Sequence, residues 1–184
     1  MKKYSCFLLF CCWIFHAKAQ SVNPSGHRSK GKDQLVSFTA SVPVGVYAES
    51  HIAGAGLAYA WSRHRFGDSV HAKKIIGFTA QAGLDYYFGK KVTTAGYSFR
   101  YGNHLYAHVM PGIIYNPSSR TNLSLLAGPV LGIYKESSSL ALGVSLTGAY
   151  YFNSRISLGP VVFYRKHAEV DALWTAGLRV SYNL

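Results

Sequence analysis

The chain has 184 residues, 49% of them hydrophobic and 15% aromatic, with a formal net charge of +12 and three cysteines. That length holds one main domain, and three cysteines exclude a scaffold built on disulfides. The cations gather at segment ends and do not interleave with aromatics along one face, which argues against a nucleic-acid partner and for anionic lipid headgroups.

The N-terminus carries Lys2 and Lys3, an apolar run from Tyr4 to Phe15, and His16-Ala17-Lys18-Ala19 before Gln20. This is the charge, core and small-residue order of a secretory signal peptide. The run is about 12 residues, short of the roughly 20 that a spanning helix needs, so residues 1–19 are predicted to be removed. All three cysteines leave with them, as do Lys2, Lys3 and Lys18, taking the charge from +12 to +9. Residues 20–34 are polar, Gly- and Ser-rich and without period, and predict a flexible N-terminal tail.

From Leu35 to the last residue the pattern has period two. In 35–47, Val36, Phe38, Ala40, Val42, Val44 and Val46 oppose Ser37, Thr39, Ser41, Pro43 and Gly45. In 75–88, Ile76, Phe78, Leu84, Tyr86 and Phe88 oppose Gly77, Thr79, Gln81, Gly83 and Asp85. The segment 140–152 sets Leu140, Leu142, Val144 and Leu146 against Ala141, Gly143, Ser145 and Thr147. The final segment places Trp174, Ala176, Leu178, Val180, Tyr182 and Leu184 on one face. Weaker alternation covers 52–62, 104–115, 122–134 and 156–167, which makes eight predicted strands. Each is about 11 to 14 residues long, whereas soluble strands average about 5 to 6 and a tilted membrane strand needs about 9 to 11.

One face is large and greasy, the other small or polar. A bilayer turns the greasy face outward and leaves the small face to fill a narrow lumen, so residues 35–184 are predicted to form an all-β, eight-stranded antiparallel up-and-down transmembrane barrel. Both chain ends then lie at the periplasmic rim, with external loops at 48–51, 89–103, 135–139 and 168–170 and periplasmic turns at 63–74, 116–121 and 153–155. Tyr150, Tyr151, Phe152, Tyr115, Trp61 and Tyr182 fall where aromatic girdles belong. Pro111, Pro129 and Pro160 sit inside strands and predict bulges.

With its signal peptide, eight alternating segments and the terminal pattern Trp174-x-Ala176-x-Leu178-x-Val180-x-Tyr182-x-Leu184, the chain resembles the small outer-membrane β-barrels of OmpA and OmpX type. The resemblance covers residues 35–184. It implies a Gram-negative outer membrane as location, the lipid bilayer and lipopolysaccharide as surroundings, and the barrel-assembly machinery as the reader of the last strand.

Two sets of residues are candidates for function. His51, on the first external loop with Glu49 and Ser50, and His167, Glu169 and Asp171, on the last, are brought together by closure; their histidine, carboxylate and hydroxyl chemistry fits a lipid-modifying site of deacylase or acyltransferase type. The plainer reading of the same rim is a wet, charged surface meeting lipopolysaccharide, in a barrel with a structural or surface-interaction role. Asp85, Arg165, Arg179, His108 and Gln81 share the inward face, with Tyr47 and Tyr134, and buried charges must pair; an ion pair between Asp85 and an inward arginine is expected. Such a network predicts a polar plug in preference to an ion path. His104 and His108 lie about 13 Å apart along a strand and cannot share an ion, so no metal and no cofactor is expected. Gly54-Ala55-Gly56 predicts close strand contact and no phosphate loop. A soluble lipid carrier is the remaining alternative, and it needs the large side chains to point inward.

Overall fold

The computed structural model describes residues 33–63, 75–94, 96–118, 120–135, 137–167 and 172–184. The predicted signal peptide and all but the end of the tail lie outside them. In chain order the elements are β1 (Asp33–Val44), α1 (Tyr47–Ser50), β2 (His51–Ser62), β3 (Ile75–Gly89), β4 (Lys91–Thr94), β5 (Tyr97–Arg100), β6 (His104–Ser118), β7 (Thr121–Tyr134), β8 (Ser137–Tyr151), β9 (Ile156–His167) and β10 (Leu173–Asn183). The eight long strands close into a barrel in the order β1-β10-β9-β8-β7-β6-β3-β2, each antiparallel to its neighbours. β1 meets β10 from Leu35 opposite Asn183 to Val44 opposite Trp174, so the barrel itself has no open edge.

The alternation settles which face is which. Phe38 is 51% exposed, Leu178 58% and Leu140 70%, while their neighbours Ser37, Arg179 and Ala141 are buried. A closed barrel coated in Val, Leu, Ile and Phe on every strand is matched to hydrocarbon, not water. The soluble-carrier alternative required the reverse.

The interior differs from the expected filling of small and polar residues alone. Tyr87, Tyr106, Met110, Leu126, Val130, Val161 and Phe163 are fully buried and pack together inside. A second apolar layer of Leu35, Ile114 and Tyr151 lies toward the rim where β1 begins and β10 ends. Tyr151 therefore does not join the girdle; its phenol accepts a hydrogen bond from Asn122 at 2.9 Å in the lumen, while Tyr150 and Phe152 face out.

Local chemistry explains the other departures. β1 starts at Asp33, so the last two tail residues pair with β2, and it stops at Val44 because Gly45 takes φ +64°, a left-handed turn that glycine adopts without strain. Ala48 N–H then donates to Gly45 O at 3.0 Å, and Tyr47 enters α1 instead of a strand. The 89–103 segment carries the hairpin β4–β5, turning at Gly96 with φ +84°. The in-strand prolines make no bulges. Register is the same on both sides of Pro111 and Pro129 between β6 and β7, and of Pro160 between β8 and β9. Each proline has an adjacent glycine (Gly112, Gly128 and Gly159) that lets the next strand close in; a Cβ at Gly128 would stand 3.0 Å from Met110 Cα. The register shifts lie near strand ends, at His51/Ala53 and Tyr115/Ser118.

Candidate functional site

The lumen is built in levels, and strand phase decides what each one contains. Asp85 and Tyr87 of β3, Arg165 and Phe163 of β9, Tyr106 and His108 of β6, and Arg179 and Thr175 of β10 all occupy inward positions. Arg165 Nη2 donates to Asp85 Oδ2 at 2.6 Å. Its guanidinium carbon lies 4.7 Å from the ring centroids of both Tyr106 and Phe163 and 5.3 Å from that of Tyr87. The cation is thus held by one carboxylate and three aromatic faces. Tyr87 in turn donates to Thr175 Oγ1 at 3.2 Å and accepts from Ser41 at 3.2 Å.

Below this, Arg179 Nη1 donates to Gln81 Oε1 at 2.7 Å, and its Nε to Thr39 Oγ1 at 3.2 Å. That bond fixes the amide of Gln81, whose NH2 must then face His108 Nε2, 3.0 Å away. His108 Nε2 therefore accepts, and the proton sits on Nδ1, 3.5 Å from Asp85 Oδ2. A directed chain runs from Arg179 through Gln81 and His108 toward Asp85, which Arg165 approaches from the other side. The two arginines and one carboxylate leave the described lumen with one excess positive charge. Amide and hydroxyl dipoles of Gln81, Thr39 and Thr147 face Arg179 in place of a second acid. Gly56 lies against this network because a Cβ there would collide with Asp85 Oδ1.

The external mouth collects histidines and tyrosines. His51 and His104 stack with centroids 4.5 Å apart, and Tyr47 lies 4.5 Å from His51. The hydroxyls of Tyr47 and Tyr106 both reach His104 Nδ1, at 3.2 and 3.1 Å. Burial, with Tyr106 beside it, pushes the Tyr47 phenol well above its ordinary pKa. His51 Nδ1 is 2.8 Å from Ser50 Oγ, and His167 Nδ1 is 2.9 Å from Ser139 Oγ. Among the described residues no group of three or more His, Cys, Asp or Glu could hold a metal ion.

Closure brings His51 and His167 to the same mouth, while Glu169 and Asp171 lie outside the described residues. Glu49 is exposed on α1, near the buried aromatic cluster but not part of it. Asp85, Arg165, Arg179, His108 and Gln81 lie together in one network. Tyr47, expected on the inward face, is buried at the mouth. Tyr87, Tyr106, Phe163 and Ser139 complete these sites and were not singled out from sequence. The phase of β3 and β6 alone would have placed Tyr87 and Tyr106 inside; Ser139, expected in a loop, lies on β8.

Ail of Yersinia pestis, solved with the heparin analogue sucrose octasulfate, superposes with a TM-score of 0.55 at 13% identity, covering 85% of this chain and all of Ail. The chain has the fold of the small eight-stranded outer-membrane barrels. The outer-membrane enzyme PagL gives a TM-score of 0.53 at 12% identity, over 81% of this chain and 97% of that one. OprG of Pseudomonas aeruginosa gives 0.50 at 11%, over 86% and 98%. No family model and no curated protein matches the sequence. At these identities the shared outer-membrane barrel fold carries over, and the roles of the individual proteins do not.

Proposed function

We propose that this protein is an exported outer-membrane barrel with a structural or surface-interaction role, and that its external rim contacts lipopolysaccharide. The observation that carries this reading is a filled lumen beneath a rim that presents five cations among the described residues. Arg165 and Arg179 are buried among aromatic and polar neighbours, which leaves a plug where a diffusion pore would need water. At the rim opposite the start of β1 and the end of β10 stand Lys90, Lys91, Arg100, Lys135 and Lys166, with Glu49 the acid among the described residues there; by sequence Glu136, Glu169 and Asp171 fall in or beside the same predicted external loops. Each exposed cation attracts a phosphorylated headgroup, by about 1 kcal/mol near an anionic surface. The predicted signal peptide and the alternating last strand support export and delivery to the barrel-assembly machinery.

The test is lipopolysaccharide binding by the folded barrel in phosphatidylcholine vesicles, for the parent and for Lys90→Glu/Lys91→Glu/Arg100→Glu. Binding that weakens with added salt and falls several-fold in the variant supports the reading. Binding absent in the parent, or indifferent to salt and to the charge reversal, rules it out.

A second reading, lipid modification at the mouth, is favoured by one observation: the Ser139 hydroxyl lies 2.9 Å from His167 Nδ1, the distance of a nucleophile and its base. It ranks second because no acid orients His167 among the described residues. Lipid A from cells with and without the protein, compared by mass spectrometry, decides it; identical acyl patterns eliminate the enzyme.

A further inference from the structure

On the outer surface the register aligns residues of successive strands into rows along the hydrogen-bonding direction. One row runs Phe38, Leu57, Leu84, Ala107, Leu131, Leu140. Beside it run Val36, Tyr59, Ala82 and Val109, then Pro129 opposite Leu142, which faces Lys166. Ala82 and Ala107 are small between bulkier neighbours, and between the two rows, from Val36 and Leu57 at one end to Leu140 at the other, lies an open apolar groove of about 640 Å³.

The groove crosses from β1 to β8, five steps of about 4.8 Å, so it is about 24 Å long. Strands tilt by roughly 40° to the barrel axis, so a row across them climbs by about 15 Å. That is one leaflet, half of the hydrocarbon core of about 30 Å. It climbs toward the external rim: along the first row Phe38 lies six residues below Val44, the outer end of β1, whereas Leu140 lies three from Ser137, the outer end of β8. At this upper end stands the outward-facing Lys166, opposite Leu142, and Lys135 directly after β7 lays its Nζ 5.5 Å from the Tyr134 ring centroid at the edge of the mouth.

We propose that the groove is a lipid A site: one acyl chain lies along it through the outer leaflet, and the attached phosphorylated headgroup meets Lys135 and Lys166. The assignment rests on the rim reading above and adds a defined place and stoichiometry to it. A diagonal apolar channel one leaflet deep, closed at its upper end by cations, fits an anionic amphiphile of the external leaflet. An uncharged chain would gain nothing from the lysines, and a headgroup without an acyl chain would gain nothing from the groove.

The experiment is native mass spectrometry of the folded barrel released from detergent after incubation with purified lipid A or with phosphatidylglycerol. Ala107→Trp fills the groove from outside, Ala82→Leu narrows it, and Lys135→Glu/Lys166→Glu reverses its upper end; heat-shifted gel mobility shows which variants fold. One lipid A retained per parent barrel, lowered about tenfold by Ala107→Trp or Ala82→Leu and by the lysine pair, supports the site. If the lysine change lowers retention and neither groove change does, the groove assignment is overturned and the rim reading stands. If the parent retains no lipid A, both are overturned. Equal retention of phosphatidylglycerol overturns the choice of lipid A as occupant.

Discussion

Replacing Asp85 by Asn tests whether the lumen network holds the barrel together. The substitution keeps the shape but removes the carboxylate that Arg165 reaches at 2.6 Å, in a place where Arg165 has no exposed surface. Two opposite charges about 4 Å apart attract by about 4 kcal/mol at an effective dielectric of about 20. Removing one partner of a buried pair costs about 3 to 5 kcal/mol, since the surviving charge stays desolvated. The three aromatic faces around Arg165 soften this, so the lower end, about 3 kcal/mol, is expected. The assay is urea unfolding of the barrel in lipid vesicles, followed by fluorescence of Trp61 and Trp174. The double variant Asp85→Leu/Arg165→Met is the control, because exchanging the whole pair for apolar residues removes the stranded charge; it should recover most of the loss. An Asp85→Asn barrel within about 1 kcal/mol of the parent, or a double variant as unstable as the single, would refute the reasoning.

Gly56→Ala should disturb the same network without touching a charge, because the new methyl occupies the position of Asp85 Oδ1; a loss of about 1 to 3 kcal/mol in the same unfolding assay is expected. Leu178→Arg, on the lipid face at the middle of β10, should cost about 2 to 4 kcal/mol, and the same change at Trp174, near the strand's outer end, about 1 or less. Equal costs at the two positions would mean that the outer face is not in a bilayer. Gly45→Val meets no neighbour within 4 Å but must adopt φ +64°, so a loss of about 1 to 2 kcal/mol should come from the backbone alone, measured against Gly45→Asn as the tolerant control.

The lumen residues named from sequence were legible because strand phase is a strict rule: once Leu84 and Tyr86 face out, Asp85 between them faces in, and Arg179 does the same between Leu178 and Val180. Phase says which face a residue takes but not its height on the barrel. Asp85 and Arg165 are 80 positions apart, and only the closed register puts one opposite the other. The weakly alternating strands hid Met110, Leu126, Val130 and Phe163 for a related reason. Both of their faces are apolar, so hydrophobicity carries no direction there, and an interior expected to be small and polar proved half aromatic and aliphatic.

What the sequence determined by itself is eight strands long enough to span a bilayer and the sorting of bulky and small residues onto opposite faces, both consequences of the two-residue repeat of a strand; that the bulky face points outward is read from the structure. What the tertiary structure decided is how the strands slide against one another. That stagger selects Gln81 to orient His108, gathers His51, His104 and His167 at one mouth, and lines Ala82 and Ala107 into a diagonal groove. Hydrogen bonds between strands fix it, and they join backbone groups that every residue but proline shares, so side-chain identities along one strand do not reveal the level at which its neighbour pairs.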